Sequence, residues 1–258
     1  MGRVVVKVGS AVLTQDGSLA LARMQNLVRF LVDLKKNNEV ILVSSGAVSA
    51  GYTVLQLDRT IIKNKQALAS LGQPILMKQY SREFYVHGVL ASQVLITARN
   101  LHKHDDIDRV KNTVNTLLEN GIIPIINEND ATSTKELEVG DNDQLSAYIT
   151  KNTDSDMLII LSDIDAYYDK DPRKNSDAKM LKIVNKIAKE ELEQVATPND
   201  VFATGGIVTK LKAANYLLDS NKDMFLASGF DLSDVKSYML DSKHIGGTLF
   251  TNGENRWE

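Results

Sequence analysis

Two clusters of acidic and amide side chains follow one another in the middle of the chain. The first, Asn127–Asp130, ends the apolar run Ile122–Ile126, and the second, Asp141–Asp143, follows a glycine. In open α/β sheets, ligands bind where apolar strands end in such polar segments, and these clusters are costly when buried without partners. The pattern predicts a ligand site. The alternative is a pair of Asx-rich turns, because Asn and Asp favour turns and helix caps.

Two lysines lie close to glycines in apolar surroundings. Lys7 interrupts the strand-like run Arg3–Gly9, and Lys210 ends the segment Phe202–Lys210, which contains a Gly-Gly pair. A lysine inside a buried strand must reach solvent or an anion, and the Gly-Ser that follows Lys7 would leave backbone N–H groups free. These features indicate phosphate binding, although the second segment does not match the P-loop pattern. The alternatives are a lysine snorkelling from an edge strand and a surface lysine after a Gly-Gly turn.

Small residues follow another apolar run. Val40–Val43 ends in Ser44-Ser45-Gly46-Ala47, where a ligand could approach the backbone closely. A helix that begins within Gly46–Gly51 would turn its N-terminus towards an anion. The alternative is an ordinary strand-to-helix turn capped by serine.

The available side chains favour phosphoryl transfer over other chemistry. The chain has no cysteine and only 4 histidines, which are scattered, so a Cys nucleophile, a thiolate metal site or a His base is not expected. Lysines with acidic and amide clusters suit phosphoryl transfer, in which the protein positions groups and neutralises charge. A carboxylate acceptor, with a pKa near ~4.3, is already deprotonated at neutral pH. The residues therefore predict an ATP-type kinase that acts on a small acid.

Composition narrows the class of protein further. With 258 residues, of which 43% are hydrophobic, the chain can bury a sizeable core. The net charge of −3 argues against a nucleic-acid binder, which usually carries a basic excess. No apolar segment approaches the ~18 residues of a membrane span, and no signal peptide is recognised. The lack of cysteine fits a reducing compartment, so a cytoplasmic location is expected.

Hydrophobic periodicity predicts alternating strands and helices. This order indicates a mostly parallel sheet with helices on both faces. Gly72 is expected to separate two helices in the first half of the chain. The predicted strands are Arg3–Gly9, Val40–Val43, Val89–Ile96, Ile122–Ile126, Met157–Leu161, Met224–Ala227 and Gly247–Phe250, and the predicted helices are Leu19–Asn37, Lys63–Leu71, Pro74–His87, Asp105–Asn120, Asn142–Thr150, Glu190–Val195 and Leu211–Leu218.

Five segments together resemble the amino acid kinase family: Val5–Leu13, Val43–Gly51, Ile123–Ala131, Val139–Ala147 and Thr204–Ala214. The motif INEND followed by VGDND is typical of the members that phosphorylate L-glutamate. The resemblance implies an open three-layer αβα sandwich with a mostly parallel central sheet. Many members carry a further C-terminal PUA domain, for which this sequence has no room, so residues 1–258 are expected to form a single domain.

The resemblance also implies a reaction and its partners. The ATP γ-phosphoryl group would pass to the side-chain carboxylate of L-glutamate, giving L-glutamyl 5-phosphate in the first step of proline biosynthesis. Mg²⁺ would accompany ATP, held mostly by phosphates and water. The resemblance suggests a homo-oligomer and leaves feedback inhibition by proline open. The alternatives are a kinase of N-acetylglutamate or aspartate and a non-catalytic amino-acid sensor on the same fold.

The family's residue roles transfer to matching positions of this sequence. The resemblance implies that Lys7 and Lys210 neutralise the transferring phosphoryl group and that Asp143 holds both lysines in place. Protein ligands for the metal are not indicated. The resemblance assigns Ser45, Gly46, Asn127, Asp130 and Asn142 to glutamate binding, and Lys7, Gly9, Ser162, Asp163, Thr204, Gly205, Gly206, Ile207, Val208, Thr209 and Lys210 to nucleotide binding.

Overall fold

The computed structural model describes residues 2–97, 104–132, 142–193 and 206–253, and strands and helices alternate along them. The strands are β1 Gly2–Val8, β2 Thr14–Gln15, β3 Ser18–Leu19, β4 Asn38–Ser44, β5 Ala91–Ile96, β6 Ile123–Glu128, β7 Met157–Ser162, β8 Ile183–Val184, β9 Asp223–Ser228 and β10 Thr248–Phe250. The helices are α1 Ser10–Leu13, α2 Leu21–Lys35, α3 Ala47–Tyr52, α4 Ile62–Val86, α5 His104–Glu119, α6 Asn142–Asn152, α7 Lys189–Leu192, α8 Gly206–Leu218 and α9 Ser233–Asp241.

The central sheet has eight strands in the order β5-β6-β4-β1-β7-β9-β10-β8. Its pairings are parallel except for the one between β9 and β10. The sheet is therefore mostly parallel, as predicted. β1 lies inside the sheet, where Lys7 is opposite Val43 on one side and Ile160 on the other. The edge-strand alternative for Lys7 is therefore wrong, and this lysine cannot snorkel to solvent across a sheet edge.

Helices cover both faces of the sheet, which gives the three layers expected. On one face Val4 packs in a core that includes residues of α2 and α4. On the other face Val5 packs with Leu145 of α6 and Leu211 of α8. Since side chains alternate along a strand, Lys7 points to the same face as Val5. That alternation brings the lysine to the face covered by α6 and α8.

The predicted break at Gly72 is wrong, because α4 is one continuous helix of 25 residues with Pro74 inside it. Gly72 instead allows two helices to touch. A Cβ at Gly72 would lie 1.8 Å from the carbonyl oxygen of Ala47, and one at Gly51 would lie 2.0 Å from that of Leu68. Close approach of α3 to α4 therefore requires these glycines. Among the described residues, no helix is long and apolar enough to cross a membrane.

The helix that carries the second lysine begins earlier than predicted. The expected boundary at Leu211 is wrong, since α8 starts at Gly206 and places Lys210 inside the helix. The residue is only 4% exposed, so the alternative of a surface lysine is also wrong. Ile207 and Val208, which follow the Gly-Gly pair, already lie on the core-facing side of the helix.

Candidate active site

A buried carboxylate lies between two buried lysines beside the ends of the central strands. Asp143, in the first turn of α6, is fully buried. Its Oδ1 atom lies 2.5 Å from the Nζ atom of Lys7 on β1, and its Oδ2 atom lies 3.1 Å from that of Lys210 on α8. The lysine side chains are 4% and 5% exposed. One carboxylate is thus shared by two ammonium groups, which leaves the trio with an excess of positive charge.

The charge state of Asp143 follows from its neighbours. Burial raises the pKa of this carboxyl group, but the ammonium groups of Lys7 and Lys210 lower it by more, so the pKa lies well below its ordinary value. Thr209 donates a further hydrogen bond of 2.9 Å to the Oδ2 atom. The Nζ atom of Lys210 also donates to the carbonyl oxygen of Gly206 at 2.9 Å. Asp143 is therefore ionised at neutral pH, and both lysines are held in fixed positions.

A polar cavity of about 430 Å³ adjoins this trio through Asn142, the residue before Asp143. Its wall is formed by the ends of β4 and β6 and the starts of α3, α4 and α6. All five residues predicted to bind the acceptor line it. The lining residues are Ser10, Ser45, Gly46, Ala47, Val48, Ser49, Arg59, Lys65, Asn127, Glu128, Asp130 and Asn142.

The turn into α3 explains why a glycine lies in the cavity wall. Gly46 has φ +104° and ψ −2°, a backbone conformation that favours glycine. It precedes α3 directly, and the N–H group of Ser45 donates to the carbonyl oxygen of Val8 at 3.2 Å. The end of β4 is thereby tied to the end of β1, where Lys7 lies.

A chain of hydrogen-bonded side-chain amides leads to two residues that line the cavity. Asn142 donates from Nδ2 to Oδ1 of Asn127 at 3.0 Å and to Oγ of Ser45 at 2.9 Å. Asn127 donates to Oε1 of Gln73 at 2.9 Å, and Gln73 donates to Oε1 of Gln93 at 3.1 Å. This amide chain, Gln93-Gln73-Asn127-Asn142, joins β5, α4, β6 and α6. It determines which atoms of Asn127 and Asn142 face the cavity.

The sequence interpretation did not include the two glutamines. A signal existed for Gln73, since it is a polar residue within the apolar helical segment LASLGQPILM. It is buried, which is unusual for glutamine without a partner. Gln93 carries no such signal, because polar residues are ordinary in an edge strand.

We expect Gln73→Leu to lower the free energy of unfolding by about 1–3 kcal/mol, because it leaves the buried amide of Asn127 without its acceptor. Urea unfolding followed by circular dichroism measures this. Gln79→Leu on the same helix is the matched control, since Gln79 is only partly buried and bonds locally to Glu83. Equal losses in the two variants would contradict the supporting role of Gln73.

Several of the residues predicted to bind the nucleotide lie at the ends of β1 and β7. Ser162 ends β7, and its hydroxyl donates to Oδ1 of Asp163 at 2.8 Å. The N–H group of Gly9 donates to the carbonyl oxygen of Leu161 at 3.1 Å. The expectation of a free N–H group at Gly9 is therefore wrong, because β1 and β7 stay paired beyond the last strand residue. A Cβ at Gly9 would lie 3.8 Å from the Nζ atom of Lys7.

The first turn of α8 accounts for most of the other positions. The side chains of Ile207 and Val208 are buried in the core, so a nucleotide could meet these residues only through their backbone. Thr209 and Lys210 reach the carboxylate of Asp143. Thr204 and Gly205 lie outside the described residues. Nucleotide binding at these positions stays a prediction.

Comparison with known proteins identifies the family. The model of the amino acid kinase family matches residues 2–228. The glutamate 5-kinase of Wolinella succinogenes is 48% identical over 98% of this chain and 99% of its own length. The glutamate 5-kinase of Leishmania donovani is 46% identical over 96% of this chain and 94% of its own length. The glutamate 5-kinase 2 of Bacillus subtilis is 42% identical over the whole of this chain and 72% of its own length.

Solved structures share the fold at much lower identity. The isopentenyl phosphate kinase of T. acidophilum, in a product complex, is 16% identical, with a TM-score of 0.67 over 96% of this chain and 99% of that one. The UMP kinase of Ureaplasma parvum is 15% identical, with a TM-score of 0.63 over 97% of this chain and 98% of that one. Both likenesses concern the fold alone. The family match and the full-length relatives together establish that this chain belongs to the amino acid kinase family.

Proposed function

We propose that this chain is a glutamate 5-kinase, which transfers the ATP γ-phosphoryl group to the side-chain carboxylate of L-glutamate. The product is L-glutamyl 5-phosphate, made in the first step of proline biosynthesis. The observation that carries the proposal is the shared carboxylate of Asp143, which holds Lys7 and Lys210 beside a cavity lined by Asp130 and Asn142. The relatives named glutamate 5-kinase, at 42–48% identity, support the same substrate.

The chemistry needs charge neutralisation more than proton transfer. The acceptor carboxylate is ionised at neutral pH, so it attacks without a general base. Lys7 and Lys210 neutralise the negative charge on the transferred group, and Asp143 keeps their ammonium groups in place. Because all three groups are buried, their electrostatic effect is less screened than it would be in water.

The cavity provides partners for an amino acid. The carboxylate of Asp130 suits the α-ammonium group of the substrate. The amide chain keeps Asn142 in position at the cavity, and Asn142 in turn donates a hydrogen bond to Ser45. Gly46 places backbone rather than a side chain at the end of β4. We propose that these residues hold L-glutamate with its side-chain carboxylate towards Lys7.

Mg²⁺ fits this site as a partner of ATP. In the described ranges there is no group of three or more His, Cys, Asp or Glu side chains that could hold a metal ion. Mg²⁺ is usually held through phosphates, water and one or two carboxylates. When bound, the ion would offset phosphate charge, while Lys7 and Lys210 act on the transferred group.

Four further properties belong to the proposal. The chain is expected to form a homo-oligomer and to lie in the cytoplasm. Inhibition by proline is to be tested at the glutamate cavity. No interaction with nucleic acid is predicted, given the net charge of −3.

The direct test is ADP release from ATP and Mg²⁺ with L-glutamate, N-acetyl-L-glutamate or L-aspartate. Hydroxylamine is added to trap an acyl phosphate as its hydroxamate. Glutamate-dependent ADP release together with a hydroxamate supports the proposal. Turnover with only one of the other acids would keep the chemistry but change the substrate. A folded protein that binds ATP and turns over no acid would be a sensor instead.

We expect Asp130→Ala to raise the KM for L-glutamate about tenfold to a hundredfold, because a charge-assisted hydrogen bond contributes about 1.5–3 kcal/mol. The KM for ATP should not change. Steady-state kinetics with each substrate varied in turn measures both constants. Asp33→Ala, at a partly exposed position on α2, is the control. A raised KM for ATP with an unchanged KM for glutamate would remove Asp130 from the glutamate site.

A further inference from the structure

Two cationic side chains line the substrate cavity and have no role in the proposed reaction. Arg59 precedes α4, and Lys65 lies in its first turns. Both line the same cavity as Asp130 and Asn142. Within the described part of the chain neither side chain forms an ion pair. The guanidinium carbon of Arg59 lies 4.4 Å from the centroid of the Tyr52 ring, a contact that restrains it at the cavity wall.

The charges of glutamate show what these cations could bind. The side-chain carboxylate lies towards Lys7 and Lys210, and the α-ammonium group is assigned to Asp130. The α-carboxylate then still needs donors. The amide nitrogen of Asn142 is not available, because its two hydrogens are accepted by Ser45 and Asn127. Among the described residues that line the cavity, the cationic donors are those at positions 59 and 65.

We propose that Arg59 and Lys65 form the subsite for the α-carboxylate of the acceptor amino acid. The inference rests on the proposed function, because it takes the acceptor to be L-glutamate. Arginine binds a carboxylate through two parallel hydrogen bonds, and lysine adds a point charge. The subsite selects acceptors that have a free α-carboxylate. Analogues in which that group is missing or neutral are therefore poor substrates.

Variants and substrate analogues test the subsite together. The variants are Arg59→Gln, Lys65→Gln and the double variant, and Arg59→Lys keeps the charge without the planar guanidinium. The analogues are 4-aminobutyrate, which lacks the α-carboxylate, and the α-amide of L-glutamate, which neutralises it. Both analogues keep the ammonium group and the carboxylate that receives the phosphoryl group. Affinity for an analogue is measured as a KM, or as a Ki against L-glutamate where turnover is slow.

The expected result is a loss of affinity only for acceptors that carry an α-carboxylate. Arg59→Gln raises the KM for L-glutamate at least about tenfold, which corresponds to about 1.4 kcal/mol. The KM for ATP stays near its original value, and Arg59→Lys recovers part of the loss. The affinities for 4-aminobutyrate and the α-amide change little, so discrimination between L-glutamate and these analogues falls.

Arg109→Gln is the matched control, because Arg109 lies on α5 with 78% of its side chain exposed. Unchanged KM values for L-glutamate in both single variants and the double variant would overturn the subsite. Equal losses for L-glutamate and 4-aminobutyrate would also overturn it, since that pattern indicates general damage to the cavity. If the original protein does not turn over L-glutamate, the proposed function is wrong. If the original protein turns over L-glutamate and the variants keep its KM, only the subsite is wrong.

Discussion

Replacing Lys210 by methionine should lower kcat for glutamate-dependent ADP release by about a hundredfold to a thousandfold. This corresponds to about 3–4 kcal/mol, the usual contribution of one preorganised group that stabilises developing charge. This expectation follows from the position of Lys210 in the structure. Lys210 is buried in α8 and anchored to Asp143, so its ammonium group needs no reorganisation during the reaction. Methionine keeps much of the side-chain volume and removes only the charge and the hydrogen bonds.

Lys212→Met is the control for this experiment. Lys212 lies two residues further along the same helix and is exposed, so its loss should leave kcat within about twofold of the original value. Circular dichroism establishes that both variants fold. A Lys210→Met protein with near-normal kcat would remove this lysine from the mechanism. A loss confined to the KM for ATP would make it a binding residue rather than a group that acts on the transition state.

Asp143→Asn should lower the free energy of unfolding by about 3–5 kcal/mol, because it leaves two buried ammonium groups without their anion. Activity should fall with it, since Lys7 and Lys210 then repel one another without a shared partner. Urea unfolding at neutral pH measures the first effect, and ADP release measures the second. Retained stability to within about 1 kcal/mol would contradict the view that this carboxylate holds both lysines.

The difference in unfolding free energy between the original protein and Asp143→Asn should depend on pH with a definite sign. In the folded protein the pKa of Asp143 lies below its unfolded value of about 3.9. A depressed pKa gives stability that is fully present above the unfolded pKa and is lost as the pH falls towards the folded one. Since asparagine does not titrate, the difference in unfolding free energy should be constant near neutral pH. It should narrow below about pH 4.

Asp33→Asn is the control for the same series. Asp33 pairs with Lys36 one turn along α2, with side chains that are 45% and 69% exposed. An exposed pair of this kind contributes less than about 1 kcal/mol. A change as large as that of Asp143→Asn would show that the method reports net charge rather than the buried site.

The layered fold and most of the candidate site could be predicted from local patterns. Apolar runs such as Val40–Val43 and Met157–Leu161 have no polar face, which is typical of parallel strands covered by helices on both sides. Polar clusters at the ends of such strands predicted the site, because the carboxyl ends of parallel strands meet at one edge. The structure places the predicted glutamate-binding residues around one cavity.

Helix boundaries near glycine were predicted less well. The sequence pattern predicts a helix break at Gly72 and a helix that begins only at Leu211, yet Gly72 lies inside α4 and Gly206 begins α8. Glycine has the same local signature whether it makes a turn or lets two helices touch. Only the position of α3 against α4 shows that Gly72 serves the second purpose.

The sequence by itself determined the layered α/β fold, the polar clusters and the two lysines. Tertiary structure shows that Lys7, Asp143 and Lys210, from distant segments of the chain, share one buried ionic contact, which the family resemblance implied but no local pattern could predict. It also decided that Gln73 and Gln93 support Asn127, and that Arg59 reaches the cavity. The reason is physical. Periodicity encodes which face of an element is buried, whereas these contacts depend on the order of the strands and on which helix covers which face.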